Sequence, residues 1–206
     1  MTDLAAQTIH IVDDDEAFRD SLVWLLESSG YATRTYTSAE EFLTACQPDM
    51  SGCLIVDVRM AGMTGIELHD RLGSIGCTLP TIIVTGHGDV PMAVTAFRQG
   101  VVDFIEKPLD EEYVLKQIAH CVAQDRNNRE QRQRLESYAQ RFESLTPRER
   151  EVLECIVQGK LNKQIADILN ISIKTVEVHR SRVMEKMQVT TIADLVRLKL
   201  SDPSQT

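Results

Sequence analysis

Short apolar runs alternate with helix-patterned stretches through roughly the first 120 residues, and this alternation restricts the fold more than any other feature. The runs are Ile9–Val12, Ala32–Tyr36, Cys53–Val56, Ile82–Val84 and Val101–Ile105, the second being the least apolar. Between them Phe18, Leu22, Leu25 and Leu26 recur at helical spacing, and Ser38 with Glu41 forms a capping-box pattern ahead of Phe42 and Leu43. Ile66–Leu72, Met92–Phe97 and Tyr113–Val122 complete the helical set. Nearly continuous apolar strands joined by short loops require parallel pairing with both sheet faces covered, so the expected fold is an α/β doubly wound five-stranded parallel sheet. Ligands of such sheets bind at the carboxyl ends of the strands.

That rule selects a chemically coherent set. Asp13, Asp14 and Asp15 follow the first strand, Asp57 the third, Thr85 the fourth and Lys107 the fifth. Singly, each has a bland reading: an aspartate at a strand end as a turn or cap residue, Thr85 before Gly86 as a turn former, Lys107 before Pro108 as a solvated turn lysine. Together on one rim they point elsewhere. Crowded carboxylates repel one another unless a cation intervenes, and a hard divalent ion such as magnesium takes oxygen ligands and meets phosphate groups. Asp57 is the candidate nucleophile, since a carboxylate accepts a phosphoryl group as an acyl phosphate. Thr85 and Lys107 would then meet the phosphoryl oxygens.

The net charge of −9 conceals a division near residue 125. Residues 1–125 hold 20 acidic and 7 basic side chains, whereas residues 126–206 hold 11 acidic and 15 basic ones. A polyanion is therefore expected on the C-terminal part only. No apolar run approaches the roughly 18 residues of a membrane span, and residues 1–7 lack a secretory pattern, so a cytoplasmic protein without membrane contact is expected. The five cysteines are scattered, without a Cys-x-x-Cys, and read as reduced thiols.

Residues 124–142 carry strong helix formers and no glycine or proline, which reads as a charged helical linker or else a flexible, frayed connector, with Leu135, Tyr138 and Phe142 as a narrow apolar stripe. Beyond it, Thr146-Pro147-Arg148-Glu149 opens a helix as a capping box with proline in the first turn. Helices through Ile165–Leu169, Lys174–Met187 and Thr191–Leu200 follow, making a small all-α domain. Two helices joined by the Asn170-Ile171-Ser172 turn, the second rich in Lys174, Arg180, Arg182 and Lys186, have the organisation of a helix-turn-helix reader. Lys174, Thr175, Glu177, Val178 and Ser181 are the candidates for base edges or nearby phosphates, and Lys163, His179, Arg180 and Lys186 for backbone contacts. A solvated face remains the alternative for scattered lysines.

The motifs Ile11-Val12-Asp13-Asp14-Asp15-Glu16, Asp57 to Gly65, Thr85-Gly86-His87-Gly88 and Asp103-Phe104-Ile105-Glu106-Lys107-Pro108 resemble a two-component response-regulator receiver domain, a flavodoxin-like fold, over residues 7–123. That resemblance implies Asp57 as phosphoacceptor, magnesium held by Asp14, Asp57 and the Arg59 carbonyl with Asp13 through water, and Thr85 and Lys107 on the phosphoryl group. It also implies Thr85 and Phe104 as the switch pair, although Phe104 as a plain core residue stays open. One departure stands out: Ala61 occupies the place of the family's usual proline, which predicts a freer loop beside the metal.

Leu145–Leu153, Asn162–Ala166 and Thr175–His179 are similar to the LuxR-type DNA-binding domain, over residues 143–200. With Gly86–Val94 the pairing resembles the FixJ-like branch of response regulators. The resemblance implies a transcription factor rather than an enzyme, phosphorylated by a sensor histidine kinase, forming a homodimer on phosphorylation and engaging promoter DNA and RNA polymerase. The rival from another class is an aspartyl-phosphate hydrolase, for which only Asp13 and Asp15 have the required Asp-x-Asp spacing.

Overall fold

The computed structural model describes residues 7–86, 88 and 90–200, with Leu200 described by its backbone alone. His87 and Asp89, both within the Gly86–Val94 stretch of the resemblance, lie outside the described residues.

Five strands, β1 (Thr8–Val12), β2 (Ala32–Tyr36), β3 (Gly52–Asp57), β4 (Thr81–Thr85) and β5 (Asp103–Glu106), form one parallel sheet in the order β2-β1-β3-β4-β5. The doubly wound expectation holds. Helices α1 (Glu16–Ser28), α2 (Ala39–Ala45), α3 (Gly65–Ser74) and α4 (Val90–Arg98) connect them. The two-residue period of the strands sorts side chains between the faces. Ile9, Ile11, Cys53, Ile55, Ile82 and Val84 pack with Leu22 and Leu26 of α1. Val12, Leu54, Val56 and Ile83 pack on the other face with Phe42, Leu68, Leu72 and Ala96 from α2, α3 and α4. β5 begins at Asp103, two residues later than the apolar run, because the amides of Val101 and Val102 bond to Ala96 and Thr81 carbonyls.

α5 (Glu111–Glu143) is a single helix of 33 residues, so the stretch 124–142 continues the helix begun at Glu111. Val114, Ile118, Cys121 and Val122 pack on the α1 face of the sheet. Asp125, buried, accepts the Gly52 amide at 3.0 Å and so ties α5 to the start of β3. The chain divides into two compact units after Arg129.

In the second unit α6 (Pro147–Val157), α7 (Asn162–Leu169), α8 (Ile173–Lys186) and α9 (Ile192–Leu200) surround a core of Val152, Leu153, Ile156, Ile165, Val176, Val183, Met187 and Leu195. Tyr138 and Phe142 of α5 stack at 6.0 Å on this core, whereas Leu135 remains 36% exposed. The predicted capping box of α6 is complete: Thr146 accepts the Glu149 amide and Glu149 accepts the Thr146 amide. The α2 pattern is only half realised. Ser38 accepts the Glu41 amide, but the Glu41 carboxylate reaches past it to the Thr37 amide and hydroxyl. All five cysteines are free thiols, four of them buried.

Candidate phosphoacceptor rim and nucleic-acid face

Strand register explains why the rim residues meet. Val12 stands beside Val56, so Asp13 and Asp57 emerge together from adjacent strands at the point where strand order reverses. Asp57 is level with Val84, and Thr85 with Glu106, which delivers Thr85 and Lys107 to the same end. Asp13, Asp57 and Thr85 are buried, and Asp14 is exposed.

The ammonium of Lys107 lies 2.7 Å from Asp13 Oδ2 and 2.8 Å from Asp57 Oδ1. It also sits 3.8 Å from the centre of the Phe18 ring, a favourable place for a cation. Burial alone would depress the lysine pKa, but its hydrogen bonds and charge interactions with the two aspartates outweigh this and raise it. Burial pushes the Asp13 carboxyl up, against the pull of Lys107 and of the Asp15 amide. Lys107 therefore remains charged at neutral pH. The backbone adds further donors: Asp15 N–H to Asp13 Oδ1 at 2.9 Å, Arg59 N–H to Asp57 Oδ2 at 2.5 Å, and Ala61 N–H to Asp14 Oδ2 at 3.2 Å.

Asp15, third of the acidic run, is the N-cap of α1, accepting the Ala17 and Phe18 amides. Phe104 is half-buried against the α2–α4 core. A methyl placed on Gly88 would lie 3.0 Å from the Phe104 ring and 3.3 Å from the Thr85 methyl, so ring and threonine flank the same backbone. Gly65 opens α3 directly beneath the acceptor: a Cβ there would fall 2.3 Å from the Asp57 carbonyl oxygen.

Every donor at the rim suited to a cation is an oxygen, the set magnesium prefers. Among the described residues no three His, Cys, Asp or Glu side chains converge around one point. Asp13 and Asp57 face Lys107, and Asp14 turns to the loop amide of Ala61. The single ammonium of Lys107 is shared between the two buried aspartates. The donor chemistry fits a magnesium ion, with Asp14, Asp57 and Arg59 on adjoining loops.

In the second unit, Ser172 caps α8 by accepting the Thr175 amide, and Asn170 ends α7 in the left-handed conformation with φ 54. The exposed residues of α8 are Ile173, Lys174, Glu177, Val178, Ser181, Arg182 and Glu185, and from Lys174 onward they form a single face at helical spacing. Lys163 on α7 is exposed and lines a groove with Lys160, Leu161, Glu177 and Arg180. Thr175, His179 and Arg180 are half-buried, the Thr175 hydroxyl bonding that of Ser172 at 2.8 Å.

Lys186 does not join this face. Its ammonium bonds the buried Glu149 carboxylate at 2.7 Å and the Ser144 carbonyl at 3.0 Å, a structural pairing at a residue that the sequence selects for a DNA backbone contact. Burial works against the Glu149 charge, but Lys186 and the Thr146 amide and hydroxyl overcome it and hold its pKa low. Arg182, absent from the sequence-selected contacts, lies four residues from Val178 on the outward face. The same spacing rule would have found it.

Residues 9–119 match the response regulator receiver domain family, and residues 143–199 match the luxR family of bacterial regulatory proteins. The chain is 44% identical to the transcriptional regulatory protein FixJ of Azorhizobium caulinodans, covering 93% of this chain and 91% of that one. It is similar to the response regulator StyR, with a TM-score of 0.89 at 40% identity, over 94% of this chain and 98% of that one. It is also similar to full-length FixJ from B. japonicum, with a TM-score of 0.58 at 41% identity, over 95% and 96% of the two chains.

Proposed function

Since this chain belongs to the FixJ-like response regulators, which join a receiver domain to a LuxR-type DNA-binding domain, we propose that Asp57 is the phosphoacceptor through which a sensor histidine kinase controls its regulation of transcription. The observation that carries this reading is the Lys107 ammonium bridging Asp13 and Asp57 at the switch point of the sheet. A side chain that already spans both carboxylates is placed to follow negative charge onto a phosphoryl group esterified to Asp57.

Asp57 attacks phosphorus through a carboxylate oxygen, forming an acyl phosphate as the donor's bond to phosphorus breaks. Asp14, Asp57 and the Arg59 carbonyl would hold magnesium, with Asp13 acting through water. Bound there, the ion would offset charge on the transferring oxygens. Thr85 donates its hydroxyl to the phosphoryl group, and Phe104 of β5, which flanks the Gly88 backbone together with Thr85, follows the threonine inward. A phosphoryl group adds roughly −1.5 to −2 charges, enough to bias a two-state element.

The C-terminal domain binds promoter DNA, with Lys174, Glu177, Val178, Ser181 and Arg182 on the outward face of α8 presented to the major groove. Lys163, Arg180, His179 and Thr175 serve backbone or local positioning contacts. Phosphorylation promotes a homodimer that reads paired half-sites and engages RNA polymerase in the cytoplasm. Among the described residues no helix is long and apolar enough to cross a membrane.

The test is Asp57→Asn with a small-molecule phosphoryl donor and magnesium. Intact-mass measurement should show one acid-labile phosphoryl adduct on the natural chain and none on the variant, and only the natural chain should gain promoter affinity. Phosphate-dependent promoter binding by the variant overturns the assignment. Repeated release of phosphate from monoesters would instead mark a hydrolase.

A further inference from the structure

The loop between β3 and α3 follows the acceptor aspartate and carries Arg59, yet it has alanine at 61, where a proline ring would restrict the backbone. Freer motion was the expectation from sequence. The structure shows the loop tied from outside by two carboxylates on its backbone amides. Ala61 N–H donates to Asp14 Oδ2 at 3.2 Å, and Met63 N–H donates to Glu40 Oε1 at 3.1 Å.

Asp14 already belongs to the rim, but Glu40 comes from a different element. It stands in the first turn of α2, which Ser38 caps. Gly62, between the two bonded amides, has φ +93, a conformation open to glycine at little cost. A Cβ at 62 would also come within 2.9 Å of Glu40 Oε1, so backbone and carboxylate meet as closely as this glycine permits. The amides of Glu40 itself and of Met63, with a smaller pull from Ser38 and Arg71, hold the Glu40 carboxyl below its ordinary pKa against slight desolvation. Glu40 is therefore a charged acceptor at neutral pH. Charge-assisted bonds of this kind are stronger than neutral ones.

We propose that Glu40 is a positioning residue for phosphoryl acceptance: bonded to the Met63 amide, it restrains from α2 the loop that proline would otherwise stiffen, and so keeps the Arg59 backbone beside Asp57. The proposal rests on the phosphoacceptor reading of Asp57. Glu40 touches none of the reacting atoms. Its effect reaches them through the loop, and an uncharged side chain able to accept the same hydrogen bond should largely replace it.

The experiment compares the full-length natural chain with Glu40→Ala and Glu40→Gln. Amide hydrogen exchange, followed by NMR without magnesium or donor, should accelerate at Met63 by about fivefold to tenfold in Glu40→Ala, the effect of losing one charge-assisted bond at an exposed site. Glu40→Gln should stay near the natural rate. In phosphorylation by a small-molecule donor, Glu40→Ala should need several-fold more magnesium for half-maximal labelling, with a smaller change at saturating magnesium, and Glu40→Gln should restore the natural dependence. Unchanged exchange and magnesium dependence in Glu40→Ala overturn the proposal, as does a Glu40→Gln variant that behaves like the alanine one. If the natural chain takes no phosphoryl group at all, the phosphoacceptor reading fails, and the role in acceptance with it. The exchange measurement still reports separately whether Glu40 holds the loop.

Discussion

Replacing Lys107 with methionine removes a cation that touches two carboxylates at once. The side chains of Asp13 and Asp57 are 2% and 7% exposed, and that of Lys107 is 20% exposed. Removing one partner of a buried pair costs about 3–5 kcal/mol, because the charge left behind has no counter-charge. The partial exposure of Lys107, and the amide bonds that Asp13 and Asp57 keep from Asp15 and Arg59, place the expected loss near the lower end, about 3 kcal/mol. In a unit of this size that lowers Tm by roughly 10 °C. Differential scanning calorimetry of the full chain at pH 7 would read it in the transition of the first unit.

The same substitution makes a sharper prediction about magnesium. A divalent ion at the rim would substitute for the lost ammonium, so the variant should recover more stability from magnesium than the natural chain does. At about 100 times the dissociation constant, binding to the folded state alone contributes about 2.7 kcal/mol. The double variant Lys107→Met with Asp13→Asn should recover part of the loss without magnesium, since it relieves the repulsion of the two carboxylates. A Lys107→Met variant within 1 kcal/mol of the natural chain, by roughly the scale of a surface pair, would refute the reasoning. So would equal magnesium-induced shifts in the two proteins.

Burial lowers the pKa of His10 to about 4, against a hydrogen bond that the imidazole donates to the Ser51 backbone and with a small contribution from Arg34. The unfolded chain therefore binds more protons than the folded one between about pH 6.5 and 4, and stability should fall by about 3 kcal/mol as pH drops through that window. Denaturant titrations of the natural chain and His10→Gln across that range should show a markedly steeper dependence in the former, the lowered glutamates contributing equally to both. A second contrast separates structure from DNA contact. Lys186→Met should lower the Tm of the second unit by leaving Glu149, 1% exposed, without its ammonium. Lys174→Met should leave Tm unchanged but reduce promoter affinity and flatten its salt dependence, a pair of effects read by calorimetry and by fluorescence anisotropy at several salt concentrations. Gly65→Ala should cost about 1–3 kcal/mol and slow labelling of Asp57, because the added methyl must displace the carbonyl of Asp57 itself. Natural stability and labelling in that variant would show that the backbone absorbs the methyl without moving the acceptor.

The sheet was legible because its strands satisfy two faces at once: Ile9 and Ile11 serve one core while Val12 serves the other, and Leu54 and Ile55 divide in the same way. The helical stretches between these short apolar runs supply the cover that both sides need. The rim was legible for a related reason, since strand order alone places Asp13 beside Asp57. The pairing of Lys186 was not legible, because a lysine on a basic helix has the same appearance in sequence whether it faces solvent or a carboxylate from another helix. Glu149 lies 37 residues away, and its own capping role in α6 gave no sign of a second partner. Arg182 shares the outward face with Val178 by periodicity alone.

The loop after Asp57 marks the limit of periodicity more generally. Apolar spacing states which side chains leave water; it is silent on which exposed carboxylate finds a free backbone amide. Glu40 is 23 residues from Met63, and nothing in the local pattern of either stretch joins them. Read locally, alanine at 61 means a looser loop. In the fold it means an N–H that proline would lack, and that N–H is bonded to Asp14. A substitution that removes a covalent restraint can therefore supply a donor in the same step, so the stiffness of the acceptor loop depends on the hydrogen-bond acceptors that surround it as well as on the residues within it.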